Sequence, residues 1–390
     1  MTTVSAPGTG AELIAGYRPG ESSLFASPRG TLLAEGTYFA VPPSSRPDGQ
    51  ADLARRVQAV LGVAEAAGHQ VRTVVGAVPF APGADAHLIV PQRLHRGGAP
   101  ASAPHRVLPF GIRSVRPVPE PEHYRDAVAR AVQQIRAGRY TKTVLARSLR
   151  AEAPGFDPAP AVRALAARDP NGYTFAVDLG AGRTLFGASP ELLVARHGRT
   201  VTANPLAGSA ARSPDPDEDH RRAAALLASA KDLHEHAMVA DQVTEVLGRY
   251  CRKLTVPAGP SVIGTATMWH LSTPVTGEIA DDVTSLDLAT ALHPTPAVCG
   301  TPTAEARAAI GELEPFDRGF YTGMVGWVDA AGDGEWAVTI RCATADPEGL
   351  DLFAGAGVVA DSDPAAELAE TTAKLRTLLT ALGLEESDVA

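Results

Sequence analysis

What most constrains this chain is the recurrence, along its whole length, of short segments rich in Val, Thr, Leu and aromatic residues with turn signals between them. They occupy residues 31–41, 72–80, 86–96, 141–152, 173–179, 184–195 and 268–279, then 320–329, 335–343 and 350–359. Strand–turn–strand successions of this kind predict a largely antiparallel sheet, and Ala-Ala-Gly-Asp-Gly at 330–334 reads as a hairpin turn. Helical periodicity is expected at about 50–67, 121–137, 158–168, 217–250, 302–313 and 363–383. The stretch 97–119, crowded with Pro and Gly, reads as a linker or long loop. A boundary near residue 115 would separate residues 1–115 from 116–390. Neither part has helices enough to cover its own sheet, so one structural domain is expected.

Composition narrows the function classes. The 390 residues carry a formal net charge of −9 without a long basic run, a poor footprint for a nucleic-acid partner. The same excess of carboxylates argues at first against anionic ligands. Cys251, Cys299 and Cys342 are far apart and lack metal-type spacing, which suits a reducing compartment. No basic start precedes an apolar run, and nowhere do 18 apolar residues run together, so a soluble cytoplasmic protein with no membrane contact is expected.

A few polar residues stand where a core should be. At 100° per residue, Glu235 falls on one helical stripe with Val239, Val243 and Val246, and Asp232 lies one turn earlier on the same side. A carboxylate buried there needs a metal, a cation or a proton. Alternatively the stripe opens to solvent, or Lys231 and Arg222 neutralise it. Glu367, Glu370 and Lys374 border the leucine face of the last helix, either pointing into a cleft or forming an ordinary exposed i, i+4 pair. Lys142 opens a strand and shares a face with Val144 and Ala146. Desolvation there would make its amine a base, whereas a lysine at a strand end can also reach water. Glu191, after Ser189-Pro190, is a general acid if buried and otherwise a rim residue. Glycine-bearing turns at 205–209, 323–326 and 354–357 suit close ligand approach or simply tight packing. No zinc spacing and no nucleotide loop is present.

Together these segments resemble a known family. Lys-Thr-Val-Leu-Ala-Arg (142–147), Phe-Gly-Ala-Ser-Pro-Glu-Leu-Leu (186–193), Asn-Pro-Leu-Ala-Gly-Ser (204–209), Lys-Asp-Leu-His-Glu-His (231–236) and His-Pro-Thr-Pro-Ala (293–297) look like the chorismate-utilising enzymes. So do Glu-Leu-Glu-Pro-Phe-Asp-Arg (312–318), Tyr-Thr-Gly-Met-Val-Gly-Trp (321–327), Thr-Ile-Arg-Cys-Ala (339–343) and Phe-Ala-Gly-Ala-Gly-Val-Val (353–359), in the family's order. The similarity is greatest to isochorismate synthases of catecholate siderophore pathways. It implies an α+β fold, a large, mostly antiparallel β-sandwich with helices packed outside. Residues 1–115 would be its more variable half and 116–390 its chorismate-binding catalytic region.

By the same resemblance Lys142 is the water-activating base and Glu191 the general acid. Glu235 and Glu370 match Mg²⁺ ligands, with Glu367 a carboxylate just behind them. Gly208, Ser209, Ala297, Arg341, Gly355 and Lys374 match positions that hold the substrate. The implied activity is an isomerase reaction: water adds at ring C2 of chorismate and the C4 hydroxyl departs, giving isochorismate. Relatives that add ammonia take it from a glutaminase and generally lack this lysine, so no glutaminase subunit is expected. Salicylate synthases, which go on to eliminate pyruvate, share both Lys142 and Glu191 and remain the alternative. A non-catalytic chorismate-binding or scaffold protein is a third reading, with no use for both a base and an acid. With no exposed heptad or apolar patch legible, a monomer is expected.

Overall fold

Gly332, at φ 86°, lets the chain reverse between two strands, and Asp329 Oδ1 accepts from the amides of Ala331 and Asp333 at 2.9 and 3.0 Å. The hairpin expected at 330–334 therefore forms. It belongs to a computed structural model that describes residues 8–46, 48–102, 110–280 and 282–384.

The first strands in chain order are β1 (Ser22–Ser27), β2 (Gly30–Ala40), β3 (Thr73–Val78), β4 (His87–Gly97), β5 (Ser114–Val118) and β6 (Lys142–Glu152). Next come β7 (Tyr173–Gly180), β8 (Arg183–Ser189), β9 (Leu192–His197), β10 (Thr200–Asn204), β11 (Leu206–Ala211), β12 (Cys251–Thr255) and β13 (Ser261–Gly264). The last are β14 (Met268–Ser272), β15 (Val275–Ile279), β16 (Gly300–Thr301), β17 (Met324–Asp329), β18 (Gly334–Val338), β19 (Cys342–Asp346) and β20 (Gly349–Val358). The helices are α1 (Gly10–Gly16), α2 (Leu53–Ala66), α3 (Pro121–Arg136), α4 (Ala159–Arg168), α5 (Pro216–Ala228), α6 (Ala230–Gly248), α7 (Ser285–Leu292), α8 (Thr303–Leu313) and α9 (Pro364–Ala381).

Seventeen of the described strands form one continuous sheet. Its antiparallel path runs β12–β15–β10–β9–β18–β17–β3–β4–β2–β1–β7–β8–β19–β20–β6. β16 and β5 share the far edge of β6, one at each end. The N-terminal strands β1–β4 thus lie in mid-sheet, tied to β17 on one side and β7 on the other. A cluster supplied by strands across this path, with Phe25, Val75, Ala146, Phe175, Val325 and Phe353 among its members, is buried between them. The sheet has curled until its faces meet. Helices cover the outside: α1, α4 and α9 over one region, α2, α6 and α7 over another, and α3 with α8 beside β6. This is the α+β architecture expected from the strand–turn pattern.

Several segments read as continuous are broken, each for a local reason. The helix expected over 217–250 is two, because Ser229 is extended (ψ 112°) and its side chain caps α6 by accepting from the Asp232 amide. Segment 184–195 divides at Pro190, which has no N–H to give a ladder, and Glu191 sits in the break. Segment 268–279 divides at Thr273-Pro274, leaving β14 in a separate small sheet with β11 and β13. Segment 335–343 divides at Arg341, whose φ of 51° no regular strand accommodates. Of the expected loop 97–119, residues 114–118 are strand β5 and 103–109 lie outside the described residues, as do residues 1–7.

Candidate active site

The alternation of β6 turns Lys142, its first residue, inward, where the side chain is fully buried. α6 crosses above it with Val239, Val243 and Val246 buried, and this stripe delivers Glu235 to the lysine: Nζ to Oε1 is 2.9 Å. Apart from that pair, Nζ has no hydrogen-bond partner among the described residues. On the neighbouring β20, a Cβ at Gly357 would strike the Glu235 carboxylate and lie 3.2 Å from Lys142 Cε. Glycine there is what lets base and carboxylate meet. Burial alone would raise the Glu235 pKa. The charge and hydrogen bond of Lys142, aided by Lys374 and Lys231, outweigh it and hold the carboxyl below its usual range.

The break at Pro190 drops Glu191 into the same cavity. It is buried, and its carboxylate has one weak donor, the Leu206 amide at 3.5 Å. Burial pushes its pKa up to about 8 against the pull of that amide and of Lys142, Lys374 and Arg341. At neutral pH Glu191 is therefore a carboxylic acid, able to give a proton.

α9 contributes the opposite pairing. Lys374 Nζ lies 2.6 Å from Glu370 Oε1 and donates to the Gly355 carbonyl at 3.0 Å. The Lys374 carbonyl in turn accepts from Arg341 Nη1 at 3.0 Å. Desolvation pulls the buried Arg341 guanidinium down to about 10, so it remains a cation. Its left-handed backbone is the strain that aims the side chain into the cavity. Glu191, Gly208, Ser209, Glu235 and Ala297 line this cavity together with Arg341, Gly355, Glu370 and Lys374. It takes in about 650 Å³ of atom-free space, open mouth included. Gly208, at φ 75° in a bulge of β11, would place a Cβ only 3.1 Å from Asp232.

Two residues given roles by the resemblance are off the cavity wall: Lys142 lies behind it, against Glu235, and the other is Glu367. It is buried behind Glu370 rather than on the cavity wall, where it accepts from Lys231 Nζ at 3.0 Å, and burial next to Glu370 raises its pKa. Several wall residues went unremarked as site residues, among them His270, Tyr321, Thr322 and Ile340. His270 bridges Ser209 Oγ (2.8 Å from Nδ1) and Arg341 (Nη2 3.4 Å from Nε2). Burial, with Arg341 and Lys374 close by, keeps its imidazole neutral. Tyr321, Thr322 and Ile340 complete that wall. The Tyr321-Thr322 pair lay inside a quoted motif. His270, alone between Trp269 and Leu271, gave no sequence signal beyond being a polar residue in an apolar strand.

No group of three or more His, Cys, Asp or Glu side chains poised as a metal site occurs among the described residues. Two carboxylates on one cavity, Glu235 and Glu370, are nevertheless a fitting donor set for Mg²⁺, a hard cation that takes one or two protein carboxylates and fills its shell with water and ligand oxygens. Chemically the cavity offers a protonated carboxyl, two further carboxyl side chains and an Arg–Lys pair suited to anionic groups, with a buried lysine behind its wall.

The family described as "Chorismate binding enzyme" matches residues 101–383. The chain is 51% identical over 380 residues to the isochorismate synthase DhbC of Bacillus subtilis, with 95% of each chain covered. It is 46% identical over 316 residues to the vibriobactin-specific isochorismate synthase of Vibrio cholerae, covering 80% of each. The crystal structure of DhbC from Bacillus anthracis superposes with a TM-score of 0.90 at 48% identity, over 96% of this chain and 100% of that one. A strand-borne buried lysine, a carboxyl at a proline break and two facing carboxylates thus occur in a chain that belongs to the chorismate binding enzyme family.

Proposed function

We propose that this chain is an isochorismate synthase, an isomerase that adds water at C2 of chorismate and expels the C4 hydroxyl. The observation that carries the reading is fully buried Lys142, 2.9 Å from the cavity carboxyl of Glu235, together with buried, protonated Glu191 on the cavity wall. Lys142, in its neutral amine form, takes the proton of the attacking water, whose oxygen bonds to C2. The ring double bonds shift, the C4–O bond breaks, and Glu191 gives the departing hydroxyl its proton so that it leaves as water. Atoms balance as an isomerisation, one water entering and one leaving. Arg341 and Lys374 hold a carboxylate, with the Gly208 and Gly355 backbones and Ser209 and Ala297 shaping the remaining wall. Glu235 and Glu370 would hold Mg²⁺, whose charge offsets that of a second carboxylate.

The enzyme would act without a glutaminase subunit, as a cytoplasmic monomer supplying siderophore synthesis. Large exposed apolar side chains among the described residues are scattered (Tyr38, Val63, Leu227 and Val256), which suits a monomer, and no described helix is long and apolar enough to cross a membrane. Incubation with chorismate, with and without Mg²⁺, followed by chromatography of the products tests the activity. Accumulating isochorismate is the expected result. Salicylate with pyruvate would make the chain a salicylate synthase, and no turnover would overturn both readings.

A further inference from the structure

The strand that carries Lys142 lacks a neighbour in its middle. On its far edge β16 pairs with Lys142 and Thr143, and β5 pairs with Ser148–Glu152. Between them no strand lies against residues 144–147 among the described residues. Two side chains from the segment after α8 fill the gap. Glu314 Oε1 accepts from the Ala146 amide at 2.7 Å, and Arg318 Nη2 donates to the Val144 carbonyl at 2.7 Å. An acceptor and a donor therefore replace the missing rung of a ladder.

The same guanidinium reaches two other walls of the cavity. Its Nη1 donates to the Val298 carbonyl at 2.9 Å, next to Ala297, and to Thr322 Oγ1 at 3.1 Å. Thr322 lines the cavity with its backbone at φ 59°. Glu314 grips Arg318 with both oxygens, at 2.8 Å to Nε and 2.5 Å to Nη2, and the two side chains are 3% and 2% exposed. The Phe80 ring covers the guanidinium at 4.7 Å. A buried pair is weak evidence for stability by itself, since well-packed apolar residues often do as well. Here, though, each half satisfies backbone groups from a different wall, and the planar five-donor fork has no lysine equivalent.

We propose that Glu314 and Arg318 are positioning residues: they hold the Lys142 strand in register with the Ala297 turn and Thr322, setting the distance between base and bound substrate. This deepens the isochorismate synthase reading and rests on Lys142 being its base. Among the described residues Arg341 and Lys374 make no hydrogen bond to either residue, so substrate capture is separable from this function.

The test uses the full-length protein carrying Arg318→Lys, Glu314→Gln or Glu314→Ala, with Leu61→Ala, a core truncation on α2 away from the cavity, as a control for stability loss. Arg318→Lys keeps the charge but loses the fork. It should lower kcat about 10²-fold and leave KM within about threefold, as a misplaced base does. Glu314→Gln, which keeps an oxygen for the Ala146 amide, should retain more kcat than Glu314→Ala. Leu61→Ala should lower Tm without that loss. Hydrogen exchange over residues 142–149 should rise selectively in Arg318→Lys. An unchanged kcat, or a loss no greater than that of Leu61→Ala at equal Tm, overturns the proposal. If the wild type fails to turn over chorismate, the function falls instead, and exchange alone then decides: no selective rise over 142–149 overturns the positioning role.

Discussion

Two polar concavities among the described residues differ in kind, and the larger of these two is not the one with the chemistry. A groove between β2, β4 and the end of β7, lined by Arg18, Glu21, Glu35, His87, Arg93 and Asp178, spans about 1040 Å³ against about 650 Å³ for the Glu191 cavity. Both mix acids and bases. In the groove the Arg93–Glu35 pair, at 2.7 Å, is 56% and 30% exposed, and Glu35 is merely held somewhat below its ordinary pKa by the Arg93 hydrogen bond. At the cavity Glu191 and Arg341, with Lys142 behind the wall, are buried, and Glu191 is shifted to where it carries a proton at neutral pH. Burial of unlike groups, not volume, separates a reactive site from a wet surface.

The largest way to break this contrast is Lys142→Ala. Turnover should fall by about 10⁴, the upper end for a lost general base, while Mg²⁺-dependent chorismate binding, followed by calorimetry, persists because Glu235 and Glu370 remain. Unchanged turnover would refute the base. Glu191→Gln should cost about 10³ in kcat and carries a second signature in stability. Folded Glu191 keeps its proton up to about pH 8, whereas an unfolded glutamate releases it near 4.5. Between these values the folded state binds the extra proton, so the wild type loses stability as pH rises through the window. The loss is on the order of a few kcal/mol and levels off above the folded pKa. The Tm advantage of Glu191→Gln over wild type should therefore grow from about pH 5 to pH 8, as read by calorimetry. A flat difference would mean that Glu191 is not held protonated.

The cavity residues differ in how visible they were in the sequence, for physical reasons. Glu235 could be found because a helix repeats every 3.6 residues and Val239, Val243 and Val246 mark the buried side. Glu370 and Lys374 looked like a surface pair, since local spacing says nothing of the Gly355 carbonyl that receives the lysine. Glu314 and Arg318 are likewise four residues apart, and only the missing rung of β6 gives them work. His270 acts through Ser209, its cross-strand partner in β14 against β11, a register no local pattern contains. The strands themselves were largely legible from alternation, but their order was not. β3 pairs with β17 some 250 residues later, and nothing short of the folded sheet specifies that. Net charge misled in the same way: −9 describes the surface, while the cavity wall carries Lys374 and Arg341, with Lys142 behind Glu235.

Smaller effects sharpen the comparison. Glu235→Gln keeps the side-chain shape but removes a hard anionic donor, so the Mg²⁺ concentration for half-maximal activity should rise about 10- to 100-fold; an unmoved requirement would reassign the ligand. At the far end is Glu35→Ala in the larger groove. It frees Arg93 and His95, both of which already reach water, so stability should change by no more than about 1 kcal/mol. Among the described residues the groove and the cavity share no lining residue, and kcat and KM for chorismate should stay at wild-type values. A loss of turnover comparable to that of Glu191→Gln would show that exposed charge in the groove is coupled to the buried site, and burial would then no longer distinguish the two concavities.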